Sequence, residues 1–152
     1  MKIILVGASG TIGTPIADAL ATKHEVVRAG RNGPEVKVDI TDPDSIKAMF
    51  REVGAVDAVV SAAGSVAFKP IARLTAEDFA FSIGNKLMGQ VNLVLLGQTF
   101  VSGSFTLTGG ELAHNPLPKA SVASLVNAGL EGFVRGAALE LAPIRVNLVS
   151  PP

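Results

Sequence analysis

Cysteine, tyrosine and tryptophan are absent from the 152 residues, and each absence excludes some chemistry. Without thiols there are no disulfides, no thiolate metal sites and no cysteine nucleophile. Without a phenol, no tyrosine can act as an acid or base. Histidine is scarce too: His24 and His114 lie far apart in sequence, so no metal site is expected. Neither sign of charge dominates, because 13 Lys and Arg offset 13 Asp and Glu. A neutral chain without charge runs gives no electrostatic basis for binding nucleic acid or an anionic membrane, and a small-molecule partner is expected instead. No secretory h-region is present, since Ile3-Ile4-Leu5-Val6 runs directly into glycine. The uncharged stretch from Leu87 to Gly110 is interrupted by Gln90, Asn92, Gln98, Thr99, Ser102 and Ser104, so it reads as a buried helix and a strand rather than a membrane span. These features fit a cytoplasmic protein.

Apolar residues, by contrast, are plentiful: 48% of the chain is hydrophobic and the mean hydropathy is +0.44. That is enough for one buried core in a length too short for two ordinary domains. Short apolar runs alternate with helical patterns: strands at Lys2–Val6, Glu25–Arg28, Val36–Val38 and Ala58–Val60, helices at Thr11–Thr22 and Asp44–Val53. This is the βαβ rhythm of an α/β fold, a Rossmann-like doubly wound parallel sheet in a single domain. Asp42-Pro43 supplies a carboxylate N-cap followed by a proline at the first helical position. Thr75-Ala76-Glu77-Asp78 reads as a capping sequence for a helix reaching about Gly97, kinked near Gly84 or Gly89. A strand at Phe105–Thr108, a long helix at about Ser121–Leu141 and a strand at Ile144–Val149 complete the pattern. The last helix is apolar nearly all round, which implies burial against the sheet on one side and a second copy on the other, in a homodimer or homotetramer.

Gly7-Ala8-Ser9-Gly10-Thr11-Ile12-Gly13 follows the first strand and opens the first helix. Glycines there permit a tight turn and bring backbone N–H groups to a pyrophosphate, while the helix N-terminus favours negative charge. A dinucleotide is the expected ligand; other nucleotides and S-adenosylmethionine remain open. An NAD site usually carries Asp or Glu at the end of the second strand, whereas this chain has Arg28-Ala29-Gly30-Arg31. Arg31 is suited to a 2′-phosphate, so NADP(H) is expected over NAD(H). The lack of an acid there also weakens a methyltransferase reading. Asp39 and Ile40 follow the third strand, where an adenine ring would rest, and Ser61-Ala62-Ala63-Gly64 ends the fourth with small residues that suit either close ligand approach or helix packing.

In this order the features resemble the short-chain dehydrogenase/reductase family along the whole chain. The resemblance rests on the glycine turn, Asp39-Ile40, Ser61-Ala62-Ala63-Gly64 in place of that family's Asn-Asn-Ala-Gly, and Leu130-Glu131-Gly132-Phe133 in the long helix. Arg145-Val146-Asn147 with Ser150-Pro151 completes it. The glycines fall as G-x-x-G-x-x-G, the spacing of the family's extended and atypical members. By resemblance, Ser9, Thr11, Ile12 and Arg31 line the phosphates, and a substrate-covering loop and one more strand follow the position of Pro152, unless the protein has no lid.

The catalytic motif departs from the family. There a tyrosine exchanges the carbonyl proton, a lysine one turn later lowers its pKa, a serine polarises the substrate and an asparagine holds a water. The resemblance puts Ala123 at the tyrosine position, Asn127 at the lysine position, Thr108-Gly109-Gly110 at the serine region, and Asn85-Lys86 near the asparagine. Thr108, Asn127 and Lys86 are therefore the candidate catalytic residues, with Lys119 a further candidate acid and His114 a loop histidine. Two functions are compatible with this: an NADP(H)-dependent oxidoreductase acting on a small carbonyl or alcohol, or a non-catalytic NADP(H)-binding sensor or assembly protein.

Overall fold

The computed structural model describes residues 1–33 and 35–152. Six strands form one parallel sheet: β1 (Lys2–Val6), β2 (Glu25–Gly30), β3 (Val36–Lys37), β4 (Val56–Ser61), β5 (Val101–Thr108) and β6 (Arg145–Val149). Their spatial order is β3-β2-β1-β4-β5-β6, the doubly wound arrangement expected from the sequence. Central β1 shows why: Ile3, Ile4, Leu5 and Val6 are all buried, as a parallel strand covered on both faces requires. The reversal of strand order at β1, with the crossover rule for parallel strands, places the helices on both faces. Helix α1 (Gly13–Ala21) covers one face, where Ala17 packs with Leu5 and Ala8. Helices α2 (Pro43–Val53), α4 (Met88–Gly97) and α5 (Ser121–Glu140) cover the other, where Ile46, Met49, Phe50, Leu93 and Leu130 meet Ile4, Val59 and Phe105.

The helix starts follow local chemistry. The Asp42 carboxylate accepts from the Asp44 N–H at 2.9 Å, ahead of Pro43 at the first helical position of α2. Thr75 and Asp78 form a reciprocal capping box at α3 (Ala76–Ser82). Between α3 and α4 the backbone widens into a π turn at Ile83–Leu87. This turn takes in Gly84 and Lys86, whereas Gly89 lies within α4.

Some boundaries differ from the sequence reading. Helix α1 begins at Gly13 rather than Thr11, with Ile12 as its N-cap. Strand β5 begins at Val101, four residues ahead of Phe105, because Val101 and Ser104 pair with Val56 and Ala58 of β4 across a bulge at Ser102 and Gly103, although the composition of this stretch suggests a loop. Helix α5 is buried along Val122, Ala123, Val126, Asn127 and Leu130 only, and Leu125 and Leu139 are exposed on its outer side. No helix among the described residues is long and apolar enough to cross a membrane.

Candidate cofactor and substrate groove

The strand order reverses between β1 and β4, so the loops leaving these strands diverge and open a crevice at the carboxyl edge of the sheet. Two cavities of about 250 and 450 Å³ lie along it and share Ala62, Ala63, Gly64 and Ser65 as their common wall. They form one groove across the sheet edge.

The first cavity lies over β1 and β2. Gly7, Ser9 and Gly10 form its base, Arg31 and Asp39 its far side. Gly7 has φ +85°, and a Cβ there would press on the Ala62 carbonyl at 2.8 Å, so only glycine lets the first turn lie against the end of β4. Within the turn Gly10 N donates to Gly7 O and Thr14 N to Gly10 O. The N–H groups of Ser9, Thr11 and Ile12 have no backbone acceptor among the described residues and remain available to an anion. Asp39 Oδ1 accepts from both the hydroxyl and the N–H of Thr41. These bonds, with a smaller contribution from the Arg31 charge, hold its carboxyl below the usual range, and Oδ2 is left to accept. Arg31 is exposed on the cavity wall with no carboxylate within 4 Å among the described residues.

The second cavity brings together Lys86 from the π turn, Thr108 from β5, and Ala123 and Asn127 from α5, with Ile12, Phe68, Leu112 and Pro151 around its mouth. Lys86 Nζ donates to Gly109 O at 2.8 Å, and partial burial lowers its pKa. Thr108 Oγ1 donates to Ser61 O at 2.6 Å, so its proton is committed and its oxygen can only accept from a ligand. Asn127 is 2% exposed, and its Oδ1 is buried without a partner. Asn85 Oδ1 accepts from Ser65 N at 2.8 Å, tying the π turn to the shared wall.

Several sequence-predicted site residues lie elsewhere. Ser61 is buried and lines neither cavity; its hydroxyl has no partner and its carbonyl holds Thr108. Gly13 opens α1 against Gly7 O, beneath the groove rather than on its surface. Thr11 is exposed and lines neither cavity, and Ile12 belongs to the second one. Ile40 borders the first cavity, but its side chain turns inward and packs on Gly89. Lys119 is exposed at φ 70° outside both cavities, and His114 Nε2 pairs with Glu131 Oε1 at 2.7 Å away from the groove.

Gln90 was missed by sequence reasoning. It is fully buried in α4, where Nε2 donates to Thr108 O at 2.9 Å and to Lys86 O at 3.3 Å, and Oε1 accepts from Thr108 N at 2.9 Å. The amide takes the place of a neighbouring strand at the end of β5 and joins two walls of the cavity. A lone amide in an apolar helix was the available signal, because a buried polar group needs partners.

Comparison with known proteins agrees with this geometry. A family model described as Enoyl-(Acyl carrier protein) reductase matches residues 7–152. The chain is similar to the crystal structure of the protein lin1944 from Listeria innocua, with 48% identity and a TM-score of 0.97, covering 99% of this chain and 77% of that one. It is also similar to a small-chain dehydrogenase solved in complex with NADPH, with 28% identity and a TM-score of 0.90, covering 99% of this chain and 69% of that one. Among curated proteins, the 3-oxoacyl-[acyl-carrier-protein] reductase FabG of Buchnera aphidicola is 25% identical over 97% of this chain and 71% of its own length. The chain spans about half the length of other curated relatives, between 50% and 58%. With the doubly wound sheet, the glycine turn and a family match over nearly its whole length, the chain belongs to the short-chain dehydrogenase/reductase family.

Proposed function

We propose that the chain binds NADP(H) along the groove and acts as an oxidoreductase on a small carbonyl or alcohol. The observation that carries this reading is the glycine turn at the groove, whose Ser9, Thr11 and Ile12 N–H groups have no backbone acceptor, beside a first cavity lined by Ser9 and by an arginine past the end of β2 that has no acidic partner among the described residues. An extended dinucleotide fits these groups. The N–H groups of Ser9, Thr11 and Ile12 take the pyrophosphate at the start of α1. Arg31 takes a 2′-phosphate by charge-assisted hydrogen bonds. Asp39 Oδ2 accepts from the adenine amine, and the backbone of Ile40 borders the base. Ala62, Ala63 and Gly64 leave room for the rest of the cofactor to cross into the second cavity. NADP(H) there supplies hydride transfer; the protein supplies position and polarity. In the second cavity Asn127 Oδ1 and the Thr108 oxygen accept from ligand hydroxyls. The similar structure solved with NADPH adds support for the phosphorylated cofactor.

A second copy completes the assembly. Phe81 and Met88 beside Leu95, with Leu125 and Leu139 on α5, form an exposed apolar stripe, and Gly132 and Gly136 leave open space between them for close approach.

The lack of tyrosine favours one alternative, a cofactor-binding sensor without turnover. NADPH oxidation against a panel of aldehydes and ketones separates the two. Substrate-dependent loss of NADPH above the buffer rate supports the enzyme; tight NADPH binding with no loss leaves the sensor.

A further inference from the structure

We infer that Lys86 is the proton donor to the substrate oxygen, taking over in a chain without tyrosine the transfer that a phenol makes elsewhere. The inference rests on the oxidoreductase reading above. Among the described residues, Lys86 is the only cationic side chain lining the second cavity, and Glu111 is the only other titratable side chain on its wall. No ion pair ties Lys86 to a carboxylate among the described residues, so its charge is uncommitted. One hydrogen bond holds the ammonium and two more fix the backbone that carries it. Nζ donates one proton to Gly109 O at 2.8 Å, the Lys86 carbonyl receives Gln90 Nε2, and the neighbouring Asn85 is pinned to Ser65. Gly64, with φ +129°, is closed to any side chain by the Lys86 stem, since a Cβ there would stand 2.8 Å from Lys86 Cγ. The shared wall of the groove is thus shaped around this lysine. Two N–H bonds remain for a ligand after the one to Gly109. Burial also lowers its pKa, which makes it a better acid near neutrality.

In reduction, hydride from the dihydronicotinamide forms the new C–H bond and the carbonyl π pair moves onto oxygen. That oxygen takes a proton from Nζ, so one N–H bond breaks and one O–H bond forms. Lys86 is left as a neutral amine and recovers its proton from water. Oxidation of the alcohol runs the same transfers backwards.

The test compares the wild-type protein with Lys86→Met and Lys86→Arg. Methionine keeps the stem against Gly64 and removes the proton; arginine keeps the charge but does not release a proton in this range. NADPH affinity is read by cofactor fluorescence and reduction by kcat/KM against pH. The lysine itself is read by ¹³C-methyl NMR titration of the reductively methylated protein, where one of seven lysine signals should titrate early and vanish in Lys86→Met. Both variants should bind NADPH within about threefold of wild type. Both should lose on the order of 100-fold or more in kcat/KM, the scale of general acid catalysis, and wild-type activity should fall as pH rises through the early titration. Lys86→Met turning over within threefold of wild type, Lys86→Arg matching wild type, or a matching loss of NADPH affinity would each overturn the assignment. If the wild-type protein binds no NADPH, the oxidoreductase reading itself fails, and the proton-donor role fails with it.

Discussion

Substituting Gln90 by leucine tests how the second cavity of the groove is built. Leucine fills a similar volume, so little cavity cost enters, and the change isolates the amide's hydrogen bonds. Three are lost: the pair to the Thr108 backbone and the longer one to Lys86 O. The Thr108 N–H and C=O then face apolar surface, at about 1–3 kcal/mol for each buried group left unsatisfied. Thr108 is half-buried, which favours the lower half of that range, and the total is roughly 3 kcal/mol. In a domain whose whole stability is typically about 5–15 kcal/mol, this is a large fraction. Urea unfolding followed by circular dichroism should show a lower midpoint at unchanged slope, with a fall in melting temperature of roughly 6–12 °C. Gln90→Glu should be damaging as well, because it aims a carboxylate at two carbonyl oxygens. A loss below about 1 kcal/mol for Gln90→Leu would refute the view that this amide holds β5 to α4.

Arg31→Ala should weaken NADPH by about 10- to 100-fold, from roughly 1.5–3 kcal/mol for a charge-assisted contact, and leave NADH nearly unchanged; equal loss for both would remove its 2′-phosphate role. Leu125→Glu places a charge on the outer apolar stripe of α5 and should shift the protein toward monomer in light scattering, whereas an unchanged mass would clear that face. Thr75→Ala removes the hydroxyl of the α3 capping box and should cost about 1 kcal/mol in urea unfolding. The same box carries a pH dependence. The hydrogen bond from Lys69, followed by the Thr75 N–H, depresses the Asp78 carboxyl. Its stabilising effect is complete above the unfolded carboxylate range and is lost as pH falls through the depressed value. Asp78→Asn should therefore flatten the acid limb of the stability curve.

The sheet was legible because buried parallel strands are written as short apolar runs, and β1 could be read as Lys2–Val6 from sequence. The start of β5 was not, since Ser102-Gly103-Ser104 carries a loop composition and is carried into the strand by the pairs that Val101 and Ser104 make with β4 on either side of a bulge. That Gly7, Gly10 and Arg31 line the first cavity was readable, because they sit at fixed distances from strand ends and local geometry delivers them. Ser61 and Ile40 show the limit of that reading. Alternation at the end of β4 turns the Ser61 side chain inward, and Ile40, in the turn beyond β3, packs its side chain on Gly89 instead of facing the groove. The second cavity depends on contacts between distant segments. The approach of Lys86 to Gly109 requires the π turn at Ile83–Leu87, and no local pattern announces that turn. Gln90 looked like an interruption in an apolar helix because its partner, Thr108, lies on another element.

A fluorescence titration with NADPH and NADH tests the central claim most directly, since a chain without tryptophan or tyrosine adds little emission of its own. The account predicts saturable NADPH binding, weaker NADH binding, and loss of that difference in Arg31→Ala. Binding of neither cofactor by the folded protein would contradict it, and the glycine turn would then be a structural feature of the fold alone.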